Sequence, residues 1–408
     1  MPNIAIRFFG IVSAFAITAL IYSKYTVQDS AHIFVFISLC QVFSILFKFG
    51  LDDRLLKVSA DISIDKASII DLQIFFNVIC YTGLFLGIFL LVTPKVLFLS
   101  DIGINQNITF IFLAVIFYVF AGTLSVVFQG RYFLKTAVII LQILPNSIIM
   151  IFIFIEGYIS LRFEYIYILA YLTSALVGVV LLISFSILDF NNRSWLLDFK
   201  FDTPRELMNI QGVYWLNSIS TLAVTAMPIV FVGIFFNDDF TSQFSFALRM
   251  SQGMLVILVL VNFIFSPTVR RLITKGLLSK ALLYFNKMQM ISSVSAFIAF
   301  ILLNSILFIF SKFGHYEIDQ IRNMVLFFSF GLAINISFGP IGPLFIMLDR
   351  QKDNTVAGLL VFLLSSPGVL ILSYFKLHFL LVTFIAFSYA VGKIYLWFKL
   401  YRLKKILL

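Results

Sequence analysis

A chain of 408 residues that is 61% hydrophobic, only 12% charged and carries 51 phenylalanines does not have the composition of a soluble domain, in which charged residues make up about a quarter. The net charge of +10 could suggest nucleic acid, but in a membrane chain basic residues first report which side of the bilayer they occupy. Cys40 and Cys80 lie in apolar runs with no partner pattern, which argues against both a disulfide framework and a metal site.

In chain order, Arg7 is followed by an apolar run whose small-residue pattern, Ser13-Ala14-Phe15-Ala16, is buried inside the run. A cleavage site cannot work from there, so this segment is kept as the first span. Apolar windows of membrane-crossing length predict twelve spans, near 8–24, 31–50, 72–93, 107–128, 137–156, 165–187, 212–236, 242–266, 289–311, 323–348, 356–375 and 379–400. The expected fold is therefore all-α: a polytopic membrane protein of about twelve transmembrane helices in two six-helix lobes around a central cavity. The lobes are residues 1–188 and 212–408, joined by a mixed-charge linker at 189–211. A weak repeat supports the division, since FQGRYFLKTA (128–137) can be laid on MLDRQKDNTV (347–356) with Arg131 over Arg350 and Thr136 over Thr355. An even number of spans puts both termini on one side. That side holds 21 of the 29 Lys and Arg, including a closing group of Lys393, Lys399, Arg402, Lys404 and Lys405, against 6 on the other. The positive-inside rule makes both termini cytoplasmic, and topology then accounts for the basic excess without nucleic acid.

Within the spans, polar residues fall at helical spacing. In span eight Ser242, Ser245, Arg249 and Gln252 follow i, i+3, i+7, i+10 on one narrow face. If residues 242–266 form one helix closed by Pro267, Arg249 lies about 10 Å below its start. A cation at the bilayer centre costs roughly 2.5 to 3.5 kcal/mol on the insertion scale, so this face is expected to line a cavity. Span two carries Gln41, Ser44 and Lys48; span five, Gln142 and Asn146; span seven, Tyr214, Asn217, Thr221 and Thr225. These are candidate cavity walls, with interhelical hydrogen bonding as the alternative. Lys48, two residues before Gly50, can instead carry its ammonium to the cytoplasmic interface. Prolines interrupt spans five (Pro145), seven (Pro228) and eleven (Pro367), and span ten holds a cluster of Gly339, Pro340, Gly342 and Pro343 that is a candidate hinge.

Some chemistry is missing from the sequence. No Asp or Glu falls mid-span, and His32, His315 and His378 are external and far apart in sequence. No nucleophile and base pair stands out, and no phosphate-binding loop, so neither an enzyme nor a cofactor is expected. The connections are also short, the longest external one being about 94–106, which leaves no domain of the kind polysaccharide polymerases and ligases need to hold sugars.

The two-lobed pattern, FALRMSQG opening span eight, SPTVRRLITKG after it and GPIGPLFIMLDRQKDN ending span ten resemble the polysaccharide flippases of the multidrug/oligosaccharidyl-lipid/polysaccharide exporter superfamily, of the O-antigen flippase (Wzx) type, over nearly the whole chain. The resemblance implies alternating access through a cationic cavity in the bacterial cytoplasmic membrane. Its substrate would be an undecaprenyl-diphosphate-linked oligosaccharide, moved beside membrane lipid and other polysaccharide-assembly proteins. It also assigns Arg249 and Lys48 to the cavity, and leaves open coupling to a proton or sodium gradient, because few charges enter the spans. The competing expectation is a secondary transporter of a small solute, either a multidrug exporter of the same superfamily or a major-facilitator protein, whose loop motif GLDDRLLKV matches only faintly. Reporter fusions test the topology: both termini should report cytoplasmic, and an external report from either would overturn the assignment.

Overall fold

The computed structural model describes residues 2–48, 108–130, 133–155, 162–188, 215–216, 218–312, 317–348 and 350–407. The third expected span, the linker at 189–211 and Asn217 lie outside the described residues. Among the described residues there is no strand, and nine helices are long and apolar enough to cross a membrane, with a shorter apolar stretch at Val12–Lys24. The chain is an all-α polytopic membrane protein. Its residues divide into two compact units, Met1–Tyr25 with Val35–Ser218, and Thr26–Phe34 with Ile219–Leu408.

The first unit contains α1 (Pro2–Lys24), most of α2 (Val27–Lys48), α3 (Ile108–Gly130), the short α4 (Leu134–Val138), α5 (Leu144–Ile155) and α6 (Phe163–Leu188). Between α4 and α5 the helix widens into a π-helical turn at Ile139–Ile143, just before Pro145. Proline has no N–H to give the carbonyl four residues back, and widening by one turn is a common way to absorb that loss. Along α3 and α6 the rings of Tyr118, Tyr171 and Tyr167 follow one another at 4.8 and 4.7 Å.

The second unit contains the opening of α2 and then α7 (Met227–Phe235), α8 (Asp238–Gln252), α9 (Leu255–Thr274), α10 (Leu278–Lys312), α11 (Glu317–Ser337), α12 (Ile341–Met347), α13 (Gln351–Tyr374) and α14 (His378–Leu407). Span eight is two helices rather than one: a tight turn at Gly253 and Met254 separates α8 from α9, carried by N–H groups that reach back three residues to Met250 and Ser251. Pro267 does not close the span, since α9 runs on to Thr274. Span ten does break at its glycine and proline cluster. Gly339 takes φ +63°, a conformation that favours glycine, and its N–H reaches Ile336 O at 2.8 Å. The Ile341 N–H then bonds Gly339 O at 2.9 Å, so the carbonyls that Pro340 and Pro343 cannot serve find other donors.

The packing of α11 on α14 depends on Gly331, because a Cβ there would overlap the Ala386 carbonyl. Small residues at such crossings let helices approach where lipid offers no hydrophobic drive. Gly331→Val should therefore lower the melting temperature and monodisperse yield in detergent sharply. Gly276→Ala, at φ +71° with open space around it, should cost only about 1 kcal/mol of backbone strain. Equal effects from the two would contradict the close crossing.

Candidate functional site

The geometry around Arg249 starts with the cap of its helix. The Asn237 side chain accepts from the Phe240 N–H at 3.2 Å, and Asp238 and Asp239 occupy the first turn, where the helix dipole favours acids. With α8 starting at Asp238, Arg249 lies about 16 Å along it at 1.5 Å per residue, deeper than a helix from residue 242 allows. The upper part of its polar face is used for packing. Ser242 is fully buried with its hydroxyl 2.7 Å from that of Ser30, and Ser245, expected on a cavity wall, is 0% exposed. Arg249 itself is half-buried; its Nη2 donates to the Phe34 carbonyl at 3.4 Å, and its guanidinium lies 5.5 Å from the centre of the Phe34 ring. A planar guanidinium can stack on an aromatic ring and donate hydrogen bonds in its own plane at the same time.

One turn on, Gln252 belongs to a repair of broken backbone. Pro228 has no N–H for the Val224 carbonyl, and the chain turns at 223–226 before α7. Tyr389 of α14 donates its hydroxyl to that carbonyl at 2.7 Å. Gln252 Nε2 lies 3.4 Å from both the Thr225 carbonyl and the Tyr389 hydroxyl, and Asn335 donates to the Tyr389 carbonyl at 2.6 Å. The face of span seven is likewise partly self-satisfied, because the exposed Thr221 offers its carbonyl to the Thr225 hydroxyl at 2.8 Å.

In the first unit the polar faces divide. Asn146, 9% exposed, donates to Ser13 Oγ at 2.9 Å and Gly10 O at 3.4 Å, so it joins α5 to α1. Gln142 lies at the same crossing, with Oε1 so close to Gly10 that a Cβ there would come within 2.5 Å. Interhelical bonding, the alternative for this face, accounts for Asn146, whereas Gln142 Oε1 is buried there without a hydrogen-bond donor. Gln41 is half-buried and its carbonyl accepts from Ser44 at 2.8 Å. Lys48 does not reach out to an interface. It is 7% exposed, its ammonium is 5.8 Å from the centre of the Tyr118 ring, and it occupies the space that a Cβ on Gly122 would need.

Lys393, grouped by position with the closing basic residues, is instead a cation inside a span. α14 is continuous from His378 to Leu407, so Lys393 lies about 22 Å along it, inside the apolar span. The available signal was its own span, 379–400, which contains it one turn beyond Tyr389 on the same face. Histidines distant in sequence also converge: His32 Nε2 lies 3.8 Å from Asp238 Oδ1, and the His378 ring lies 4.5 Å from that of Phe240. A hollow of about 360 Å³ between α10 and α11 is lined mainly by apolar side chains such as Phe297, Phe300 and Phe330, with Gln289 and Ser337 as its polar groups.

No protein-family model and no curated protein matches the chain. Solved structures do resemble it. An inward-facing multidrug resistance transporter of the MATE family, in the MOP superfamily, aligns with TM-score 0.68 at 12% identity over 98% of this chain and 99% of its own. The lipid II flippase MurJ, in an inward closed conformation, aligns with TM-score 0.65 at 12% identity over 98% and 88%. A MOP-superfamily transporter from Pyrococcus furiosus, described as having a binding pocket of reversed polarity, aligns at 0.63 and 12% over 98% and 95%. The chain thus has the fold of these transporters and flippases.

The Pro228 repair can be tested by a double-mutant cycle. Tyr389→Phe strands the Val224 carbonyl and should cost about 1 to 3 kcal/mol of stability. In a Pro228→Ala background, which restores an N–H, that cost should shrink by about 1 kcal/mol. Additive losses in thermal melts would refute the link.

Proposed function

We propose that this protein is a flippase that moves undecaprenyl-diphosphate-linked oligosaccharide units across the bacterial cytoplasmic membrane for O-antigen or capsule assembly, by alternating access. The observation that carries the reading is the sign of the charges inside the helices. Among the described residues, Asp29, Glu164, Asp238, Asp239 and Asp353 all sit in first turns, and Glu317 and Asp319 open α11. Arg249 and Lys393 lie well inside their spans, and Lys48, the last residue of α2, is 7% exposed. Interior cations without interior carboxylates suit an anionic cargo, and a diphosphate offers the charge and acceptor oxygens that a guanidinium fork binds well. The fold supports the same reading, since it is shared with a protein described as a lipid II flippase.

In this proposal Arg249 is the primary anchor and Lys48 a second cation. Gln252 and Thr221 pass the sugar, together with Gln41 and with Asn217, which lies outside the described residues. Gly339, Pro340, Gly342 and Pro343 form the flexing point. A proton or sodium gradient drives the cycle, and other polysaccharide-assembly proteins deliver and take the cargo. The competing reading, export of a small solute, draws on the equal likeness to multidrug transporters. A cationic drug would call for interior carboxylates, which the described helices do not supply.

In cells that depend on this gene for surface polysaccharide, Arg249→Ala should reduce export about 100-fold at normal protein level, and Arg249→Lys should restore part of it, as expected when a forked donor is replaced by a point charge. Unchanged export by Arg249→Ala would end the anchor assignment.

A further inference from the structure

The opening of α2 is laid along α8 and ends against Arg249. It starts with a reciprocal cap, in which the Thr26 hydroxyl donates to Asp29 Oδ2 at 2.6 Å and accepts from the Asp29 N–H at 3.2 Å. Ser30 and Phe34 follow one turn apart on one face of α2, and Ser242 and Arg249, seven residues apart, share a face of α8. These two faces meet at two points. The Ser30 and Ser242 hydroxyls lie 2.7 Å apart, and Phe34 meets Arg249 both with its carbonyl, at 3.4 Å, and with its ring, whose centre is 5.5 Å from the guanidinium. Nearer the helix openings His32 and Asp238 add a half-exposed pair at 3.8 Å, which contributes little.

Phe34 is 0% exposed and Arg249 is half-buried, so the ring is the fixed member of the pair and the guanidinium the one that is oriented. At 3.4 Å the bond to the carbonyl is long, which leaves the ring as the stronger guide. An arginine side chain has many rotamers, and an anion that binds a loose one has to freeze it first. Holding the guanidinium in advance removes part of that cost. Phe34 is also the last residue of α2 that belongs to the second unit, since Val35 onward belongs to the first.

We propose that Phe34 is a positioning residue for cargo binding: its ring and carbonyl hold the Arg249 guanidinium in the orientation in which it receives a diphosphate. Phe34 touches no cargo itself. It acts by reducing the freedom that Arg249 loses on binding, and it does so from the point at which α2 leaves the second unit. The strength of the anchor therefore depends on the opening of α2 staying on α8. This deepens the anionic-cargo reading above and rests on it.

The test is a double-mutant cycle read by calorimetric binding of farnesyl diphosphate to the full-length protein in nanodiscs. Phe34→Leu removes the ring and leaves the carbonyl, and should weaken binding about threefold to tenfold. Phe34→Tyr keeps the ring and should stay within about twofold of the native chain. In an Arg249→Lys background, where a point charge has no plane to orient, the same Phe34→Leu change should weaken binding by less than about twofold. A residue that only fills space would lower the melting temperature and weaken binding by the same factor in both backgrounds; that result overturns the proposal, as does a loss in Phe34→Tyr equal to that in Phe34→Leu. Should Phe34→Leu not give folded protein, Phe34→Met carries the comparison with the same expectations. Native affinity in Phe34→Leu together with lost binding in Arg249→Gln overturns the positioning role and leaves the anionic-cargo reading standing. If the native chain does not bind the probe, or Arg249→Gln binds it as the native chain does, both fall.

Discussion

Hydrocarbon cannot hydrogen-bond, so every polar group that this chain carries into the membrane has to be met from within the protein. The contact between Tyr389 and the Val224 carbonyl shows this most directly. One proline strands a carbonyl, and a tyrosine from a helix 165 residues away in sequence takes it at 2.7 Å. Gln252 and Asn335 gather around the same tyrosine, and Asn146 does comparable work between α5 and α1. Much of the polar stripe content of this protein is therefore structural, and a polar face at helical spacing does not by itself mark a path for substrate.

Cations are the exception, because a carbonyl or a ring stabilises them without neutralising them. Arg249 has the Phe34 carbonyl and ring, and Lys48 lies over Gly122 near Tyr118. The described acids, by contrast, stay at the helix openings, where they also suit the helix dipole. The second unit therefore combines a repaired, proline-broken framework with positive charge at two depths, which suits binding an anion and releasing it again.

Much of this was legible in the sequence, because membrane thickness and helix pitch fix what an apolar run of about twenty residues can be. The break at Gly339 and Pro340 and the presence of a cation within span eight follow from spacing alone, whereas the earlier start of α8 sets Arg249 deeper than spacing suggests. What spacing cannot give is the partner across a crossing. Ser242 and Arg249 share a face, yet one is closed off by Ser30 and the other stays half-open, which depends on where α2 begins. Lys393 was hidden for another reason: a lysine close to a basic tail is easily counted as topology even where its own span contains it, and the unbroken helix through Leu407 makes its depth plain. Pro267 misled in the opposite direction, since α9 continues past it.

Everything proposed for this protein turns on a cargo that is anionic and lipid-borne. The most direct measurement is flux in sealed proteoliposomes containing the purified full-length chain, comparing a fluorescent undecaprenyl-diphosphate oligosaccharide with a cationic dye under the same gradients. Protein-dependent flipping of the diphosphate lipid, with no movement of the dye, is the predicted result. Transport of the dye with no flipping of the lipid would contradict the account.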